Sequence, residues 1–263
     1  KYSEDKIPVV FCVPKSDIQL FELKLKNYNC KVINEIDLCG DLLYGDDVKN
    51  RGYSSQQIIK LNCHLLKIAK SYLILDSDFI FCSSFKASDF SDNEKFKLLY
   101  DDMQNILYSD PMYFNKYAVA REHSLNGICE YFQLKRDEVS FIFNCQIFHS
   151  KVLYELGKYL IKNKVTYNEL ISKFPFEYAW YNAFCYKYFS DKIKLIPNPF
   201  LMIHTRSQYV GYKFWGLSNE YISKNFKGIL VNSKIGKNIF RPFNSRVGYK
   251  NNPFFLSFIT RII

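Results

Sequence analysis

The chain has 263 residues, 48% of them hydrophobic, enough to bury a sizeable core as one domain or as one domain with an appendage. A formal net charge of +10 points to a polyanionic partner, but the basic residues are spread rather than blocked and no nucleic-acid-binding signature occurs, so nucleic acid is not expected. Eight cysteines, no two within three residues of each other, exclude a Cys-x-x-Cys zinc or redox motif and read as reduced, buried thiols of a cytosolic protein.

No stretch approaches the roughly 20 apolar residues of a bilayer span, and no signal peptide is visible. The start at "KYSEDK", without Met, suggests a trimmed upstream segment. Residues 7–14, "IPVVFCVP", read as a short buried strand, 17–28 as a helix and 30–38 as a second strand. Residues 39–53, rich in Gly and Asp, read as a loop. Residues 54–71 have apolar positions 58, 61, 65 and 68 on one helical face, with Ser54 and Gln57 at capping-box spacing. A strand over 72–75 follows, then Asp76-Ser77-Asp78, then the apolar run 79–81. Residues 94–132 read as mostly helical and irregular, 138–150 as a strand, 151–163 and 177–189 as helices, and 192–205 as a return to the sheet ending at His204. Strands alternating with helices of this length predict an α/β fold with a mixed, mostly parallel sheet flanked by helices. From Gly216 the periodicity fades. The expected organisation is an α/β domain over 1–215 and a basic, aromatic extension over 216–263, packed on it or lying on an anionic membrane.

Asp76 and Asp78 end a strand that reads as buried, and carboxylates are costly to bury without a cationic partner. In α/β sheets ligands bind at the carboxyl ends of strands. Two carboxylates one residue apart suit a hard divalent ion, which also takes phosphate oxygens and neutralises a departing diphosphate. The plain alternative is a turn capped by two aspartates. A second chemical alternative is a haloacid-dehalogenase-like phosphatase with Asp76 as nucleophile and Asp78 as general acid, although Phe79 stands where that family favours Gly, Thr or Val.

"YLILDSD" after "GYSSQQIIKL" resembles the GT-A glycosyltransferases, and more narrowly putative bacterial transferases of capsule and surface polysaccharides; Gly52, Tyr53, Gln56, Gln57, Lys60, Leu61, Asp76 and Asp78 carry the match. "FIFNCQIFH" is similar to a donor-binding strand of sugar transferases, with Asn144 matched and Gln146 in place of a glycine. "FEYAWYNAF" resembles the acidic helix start that faces the donor sugar in these enzymes, with Glu177 matched, and "HTRSQYVGYKFW" resembles their His…Gly-x-Lys-x-Trp segment, with His204, Gly211, Lys213 and Trp215 matched.

The resemblance implies a GT-A fold and a nucleotide-sugar donor. The acceptor would be a surface glycan or a lipid-linked acceptor, and the cofactor Mn2+ or Mg2+. It implies Asp78 as a direct metal ligand, Asp76 as a ligand through water or a ribose contact, and His204 as a third ligand. Arg51, Lys60, Arg206 and Lys213 become candidate phosphate or sugar contacts, and Gln57 either a nucleotide contact or a helix cap. Asn144 and Gln146 become donor-sugar contacts, set against a polar strand edge. Glu177 becomes the general base of an inverting enzyme or the stabiliser of an oxocarbenium-like transition state in a retaining one. The aromatic run 174–189 is core or an acceptor platform. The implied location is the cytoplasm, with peripheral contact at the inner membrane face. Besides the phosphatase, the rivals are a nucleotidyltransferase, whose Gly-rich, Arg-containing loop is missing after 7–14, and a non-catalytic glycan-binding module.

Overall fold

The computed structural model describes residues 2–40, 51–101, 104–142, 144–214, 216 and 218–232; the side chains of Arg51, Gln104, Asn105, Lys213 and Asn219 lie outside the description. Most of the expected basic extension therefore falls outside the described residues, as does 41–50 of the expected loop.

Strand β1 (Val9–Val13) leads through helix α1 (Ile18–Leu25) to β2 (Cys30–Asn34), which pairs with β1 in parallel. The strand expected over 30–38 stops at Asn34, whose side chain accepts from the Ile36 amide at 3.1 Å and caps α2 (Glu35–Cys39). Helix α3 (Arg51–Leu61) starts earlier than the pattern suggested, so Ser54 and Gln57 lie inside it and form no capping box. It also ends earlier: a 3-10 turn over Cys63–Leu66 closes at Lys67, whose φ of 54° turns the chain out of the helix.

The chain continues through β3 (Ser71–Leu75), β4 (Phe79–Phe81), α4 (Ala87–Phe90), β5 (Phe96–Tyr100), α5 (Gln104–Ser109) and α6 (Pro111–Tyr131). Then come β6 (Cys145–His149), α7 (Ser150–Asn163), α8 (Tyr167–Lys173) and α9 (Glu177–Phe189). The last described elements are β7 (Ile193–Pro197), β8 (Phe200–Ile203), α10 (Arg206–Phe214), α11 (Asn219–Asn225) and β9 (Gly228–Val231). The architecture is α/β. Strands β1/β2, β5/β7 and β8/β9 pair in parallel, and β3/β6 and β4/β9 antiparallel.

Two departures matter for the site. Strand β5 lies inside the stretch expected to be helical. Strand β9 lies beyond residue 215 yet sits between β4 and β8, so the sheet runs past the expected domain boundary. There the two strands approach so closely that a Cβ on Gly228 would strike the Ile80 carbonyl oxygen, which is why the position is glycine.

Strand β6 is buried along its whole length. Phe148 faces one core with Phe132, Leu156, Trp180 and Tyr181; Cys145 and Ile147 face the other with Phe79, Leu99, Phe200 and Met202. The period of two along a strand explains the division. Residues 177–185 of α9 are buried without a break, so its aromatic run is core rather than an exposed platform. Among the described residues no helix is long and apolar enough to cross a membrane.

Candidate active site

The registers bring the ends of several strands to one edge. Leu75 of β3 pairs with Cys145 of β6, so Asp76 and Asn144 leave the ladder side by side. Tyr100 of β5 pairs with Pro197 of β7, so Asp101 and Asn198 leave at adjacent points, and Asn198 donates to Asp101 at 3.1 Å. His204 follows the end of β8 and approaches Asn144 at 3.4 Å.

One wall of this edge is ionic. Tyr53, Gln57 and Lys60 recur at helical spacing along α3 and share a face. The Tyr53 hydroxyl donates to the Pro175 carbonyl at 3.2 Å, and Gln57 Oε1 accepts from the Glu177 amide at 3.2 Å. Gln57 thus caps α9 rather than its own helix. Lys60 Nζ donates to Asp76 Oδ1 and to Glu177 Oε1, both at 2.7 Å, and lies 4.8 Å from the Tyr178 ring centre. Burial works to discharge the Lys60 ammonium, but Glu177 and Asp76 overcome it and hold the group above its ordinary value. Burial pushes the Glu177 carboxyl up against the pull of Lys60.

The other wall is aromatic and cationic. Asp110 caps α6 by accepting from the Tyr113 amide at 3.0 Å, and also accepts from Thr205 at 2.7 Å and Ser207 at 2.5 Å. That ties α6 to the turn after β8. His204 stands against the rings of Tyr113 (5.8 Å, 22°) and Tyr117 (5.4 Å, 45°), and its amide donates to Gln208 at 2.7 Å. Asn144 also hydrogen-bonds Tyr117. The Arg121 guanidinium lies 3.1 Å from the Tyr117 ring centre and 5.7 Å from that of Phe176. Burial, then the charge of Arg121, brings the His204 imidazole down to about 4, so it is neutral at physiological pH.

The geometry bears on several of the expected roles. Among the described residues no three His, Cys, Asp or Glu side chains gather closely enough to hold a metal, so Asp76, Asp78 and His204 do not form a three-ligand set. His204 packs against tyrosines and a neighbouring arginine instead. Asp76 and Asp78 remain two hard oxygen donors at one turn, where the Phe79 amide donates to the Asp76 carbonyl at 3.3 Å. Asp76 keeps 30% of its side chain exposed. Two carboxylates completed by phosphate oxygens of a bound nucleotide are a donor set that Mg2+ and similar cations accept.

Glu177 is only 5% exposed and is neutralised by Lys60, a poor placement for a base that must meet an acceptor hydroxyl. Gln146 is fully buried: Oε1 accepts from Leu99 N and Ile147 N, both at 2.8 Å, while Nε2 donates to Leu99 O at 3.1 Å and to Asn182 at 2.9 Å. It stitches β6 to β5 in place of a backbone ladder, and these bonds engage both polar atoms of the amide expected to meet the donor sugar. Arg206 is exposed at the start of α10. The side chains of Arg51 and Lys213 lie outside the description, as does Trp215.

Arg121 was missed because α6 reads irregularly. Its signal is a charge on a buried stripe: Tyr117, Arg121, Leu125 and Ile128 recur at helical spacing, and the other three are buried.

Together these elements define an α/β protein with carboxylates, a buried lysine and an arginine gathered at one strand-end edge. The model of a family described as "Family of unknown function (DUF6492)" matches residues 2–118. No curated protein sequence matches the chain. A crystal structure of mouse xyloside xylosyltransferase 1, in its apo form, aligns with a TM-score of 0.45 at 9% identity, covering 87% of this chain and 85% of that one. Similarity this distant leaves the function to be argued from the site itself.

Proposed function

We propose that the chain is a glycosyltransferase that moves a sugar from a nucleotide-sugar donor to a hydroxyl of a surface glycan or a lipid-linked acceptor, in the cytoplasm. The observation that carries the reading is convergence. Tyr53, Gln57, Lys60, Asp76 and Glu177, which carry the resemblance to GT-A transferases from places more than a hundred residues apart, meet in one hydrogen-bonded group beside Asp78.

In this reading the donor diphosphate lies along the edge between the two walls. Asp76 and Asp78 would hold Mn2+ or Mg2+ together with the phosphate oxygens, and the bound cation would neutralise charge on the departing diphosphate. Arg121, already stripped of much of its water by Tyr117 and Phe176, adds a fixed positive charge from the opposite side. Lys60 and Glu177 act as positioning residues: the first fixes the Asp76 carboxylate, the second fixes Lys60 and starts α9. Asn144 lies within reach of the donor sugar, at the mouth of β6. The acceptor oxygen bonds to the anomeric carbon, the bond from that carbon to the diphosphate breaks, and the proton of the acceptor hydroxyl leaves with the nucleoside diphosphate or to water.

Isothermal titration of a panel of nucleoside diphosphates, with and without Mn2+, tests this on the wild type and on Asp78→Ala. The expected outcome is binding of at least one diphosphate that strengthens with Mn2+ and is lost in the variant. Binding indifferent to both metal and substitution, or no binding by the wild type, would remove the proposal. Turnover of simple phosphate esters would favour the phosphatase instead.

A further inference from the structure

The opposite end of the β3/β6 ladder carries a surface with a separate chemistry. Ser71 pairs with His149 there, and the flanking residues open into a groove lined by His64, Lys67, Ile68, Lys70, Lys151 and Tyr154, among others. The ladder is five residues long, which puts this groove about 15 Å from Asp76 at roughly 3.3 Å per residue.

Two segments build the surface. On α7, the buried residues Val152, Leu153, Leu156 and Leu160 face the core. Lys151, Tyr154, Lys158 and Ile161 occupy the opposite face at helical spacing. The 3-10 turn after α3 adds Leu65, and the connection from it to β3 adds Lys67, Ile68 and Lys70. Four large apolar side chains protrude among the lysines: Ile161 is 79% exposed, Tyr154 57%, Ile68 44% and Leu65 42%. Segments 62–70 and 150–164 together hold six lysines (67, 70, 151, 158, 162 and 164), one acidic residue (Glu155) and no arginine. Glu155 pairs with Lys158; among the described residues no ion pair takes up Lys67, Lys70 or Lys151.

We propose that this face is a docking surface for an anionic lipid bilayer. Charge complementarity selects a polyanion, and the protruding Ile and Leu side chains select one with an apolar interior, which a nucleic-acid backbone lacks. A protein partner fits less well, because interfaces between proteins are depleted in lysine and enriched in arginine. Lysine stems lying along apolar surface with their ammonium groups in the headgroup layer, and a tyrosine at the same depth, match the interfacial zone of a membrane. This proposal is independent of the transfer chemistry. If both hold, the donor edge stands off the headgroups by the length of the ladder, and an acceptor tethered to lipid reaches it through an extended glycan.

Co-sedimentation of the full chain with vesicles of phosphatidylcholine alone, or of equimolar phosphatidylcholine and phosphatidylglycerol, tests the proposal. Binding is expected only to the anionic vesicles and should weaken with added salt. The triple variant Lys67→Glu, Lys70→Glu and Lys151→Glu should bind about a hundredfold more weakly, since each lysine contributes about a factor of five near a charged leaflet. Ile161→Ser should weaken binding with its salt dependence unchanged. If the triple variant melts early, Ile161→Ser decides alone. Equal binding to neutral vesicles, or full binding by the variants, would overturn the proposal. So would duplex DNA that binds as tightly as the anionic vesicles and is lost in the same triple variant, since the groove would then take polyanions in general.

Discussion

The wall built by α3 and α9 and the wall built by α6 and the end of β8 border the same strand edge, yet different forces hold them. In the first, Lys60 bridges Asp76 and Glu177 at 2.7 Å each, with little water around it. In the second, Arg121, Tyr113, Tyr117 and His204 pack ring on ring, with Asp110 fastening the helix to the turn beyond β8. An ionic wall fails as a unit when one charge goes, because the others are left buried without compensation. A stacked wall loses one contact at a time. Substitutions in the first should therefore register chiefly as stability, and in the second chiefly as binding.

The largest expected effect is at Lys60. Lys60→Met leaves two carboxylates facing each other in a low-dielectric site and should cost about 3–5 kcal/mol of unfolding free energy. Adding Glu177→Gln to that variant removes one of the stranded charges and should recover a large part of the loss. Urea unfolding midpoints at neutral pH measure both. A single-variant loss below about 1 kcal/mol, the range of an exposed pair, would mean that the first wall is not held by charge and would dissolve the contrast.

The two walls also differ in how far the sequence announces them. The first is legible because α3 is regular: Tyr53, Gln57 and Lys60 fall on one face wherever the helix begins, and Asp76 follows a strand of plain character. Its partner Glu177 marks the start of a helix whose bounds the pattern gave closely. What the pattern concealed there was direction, since Gln57 reaches across to cap α9 instead of its own helix. The second wall is obscured by its surroundings. Strand β5 and helix α6 lie in one stretch whose apolar positions keep no single period, and the five-residue "FKLLY" becomes a strand only because β7 pairs with it. Gln146 misled for a related reason. A polar residue in a strand looks like an edge, but here it takes the place of backbone hydrogen bonds between two buried strands, a tertiary arrangement with no local signature.

A titration separates the walls next. His204 has its imidazole brought down to about 4 by burial and by the Arg121 charge, and burial alone acts first on His149, also brought to about 4. A histidine depressed in the folded state contributes stability that is complete above its unfolded value near 6.5 and is lost as pH falls through 4. Each group should remove about 3 kcal/mol between those limits, at roughly 1.4 kcal/mol per pH unit. Burial lowers the His64 imidazole as well, so unfolding free energies measured from pH 7 down to 4 should fall with contributions from all three histidines, and His204→Asn should reduce the slope by that of one proton. A slope unaffected by His204→Asn would mean that the second wall is open to water.

The smallest expected effect on the fold, and the most telling for function, is at Arg121. Its guanidinium rests on Tyr117 and near Phe176, contacts that contribute about 0.5–1 kcal/mol each at a partly exposed site. Arg121→Gln should accordingly shift the melting transition only slightly. If Arg121 meets the donor diphosphate, the same substitution removes a charge-assisted contact of about 1.5–3 kcal/mol and weakens nucleoside diphosphate binding on the order of tenfold to a hundredfold. A nucleoside that lacks phosphate should bind both proteins alike, so the preference for diphosphate over nucleoside is the quantity to compare. Should that preference survive in Arg121→Gln while the protein stays folded, the arginine only supports Tyr117, and the second wall shapes the cleft without touching the phosphates. Should it collapse, the two walls divide the work: one fixes the carboxylates in place, and the other supplies the positive charge they face.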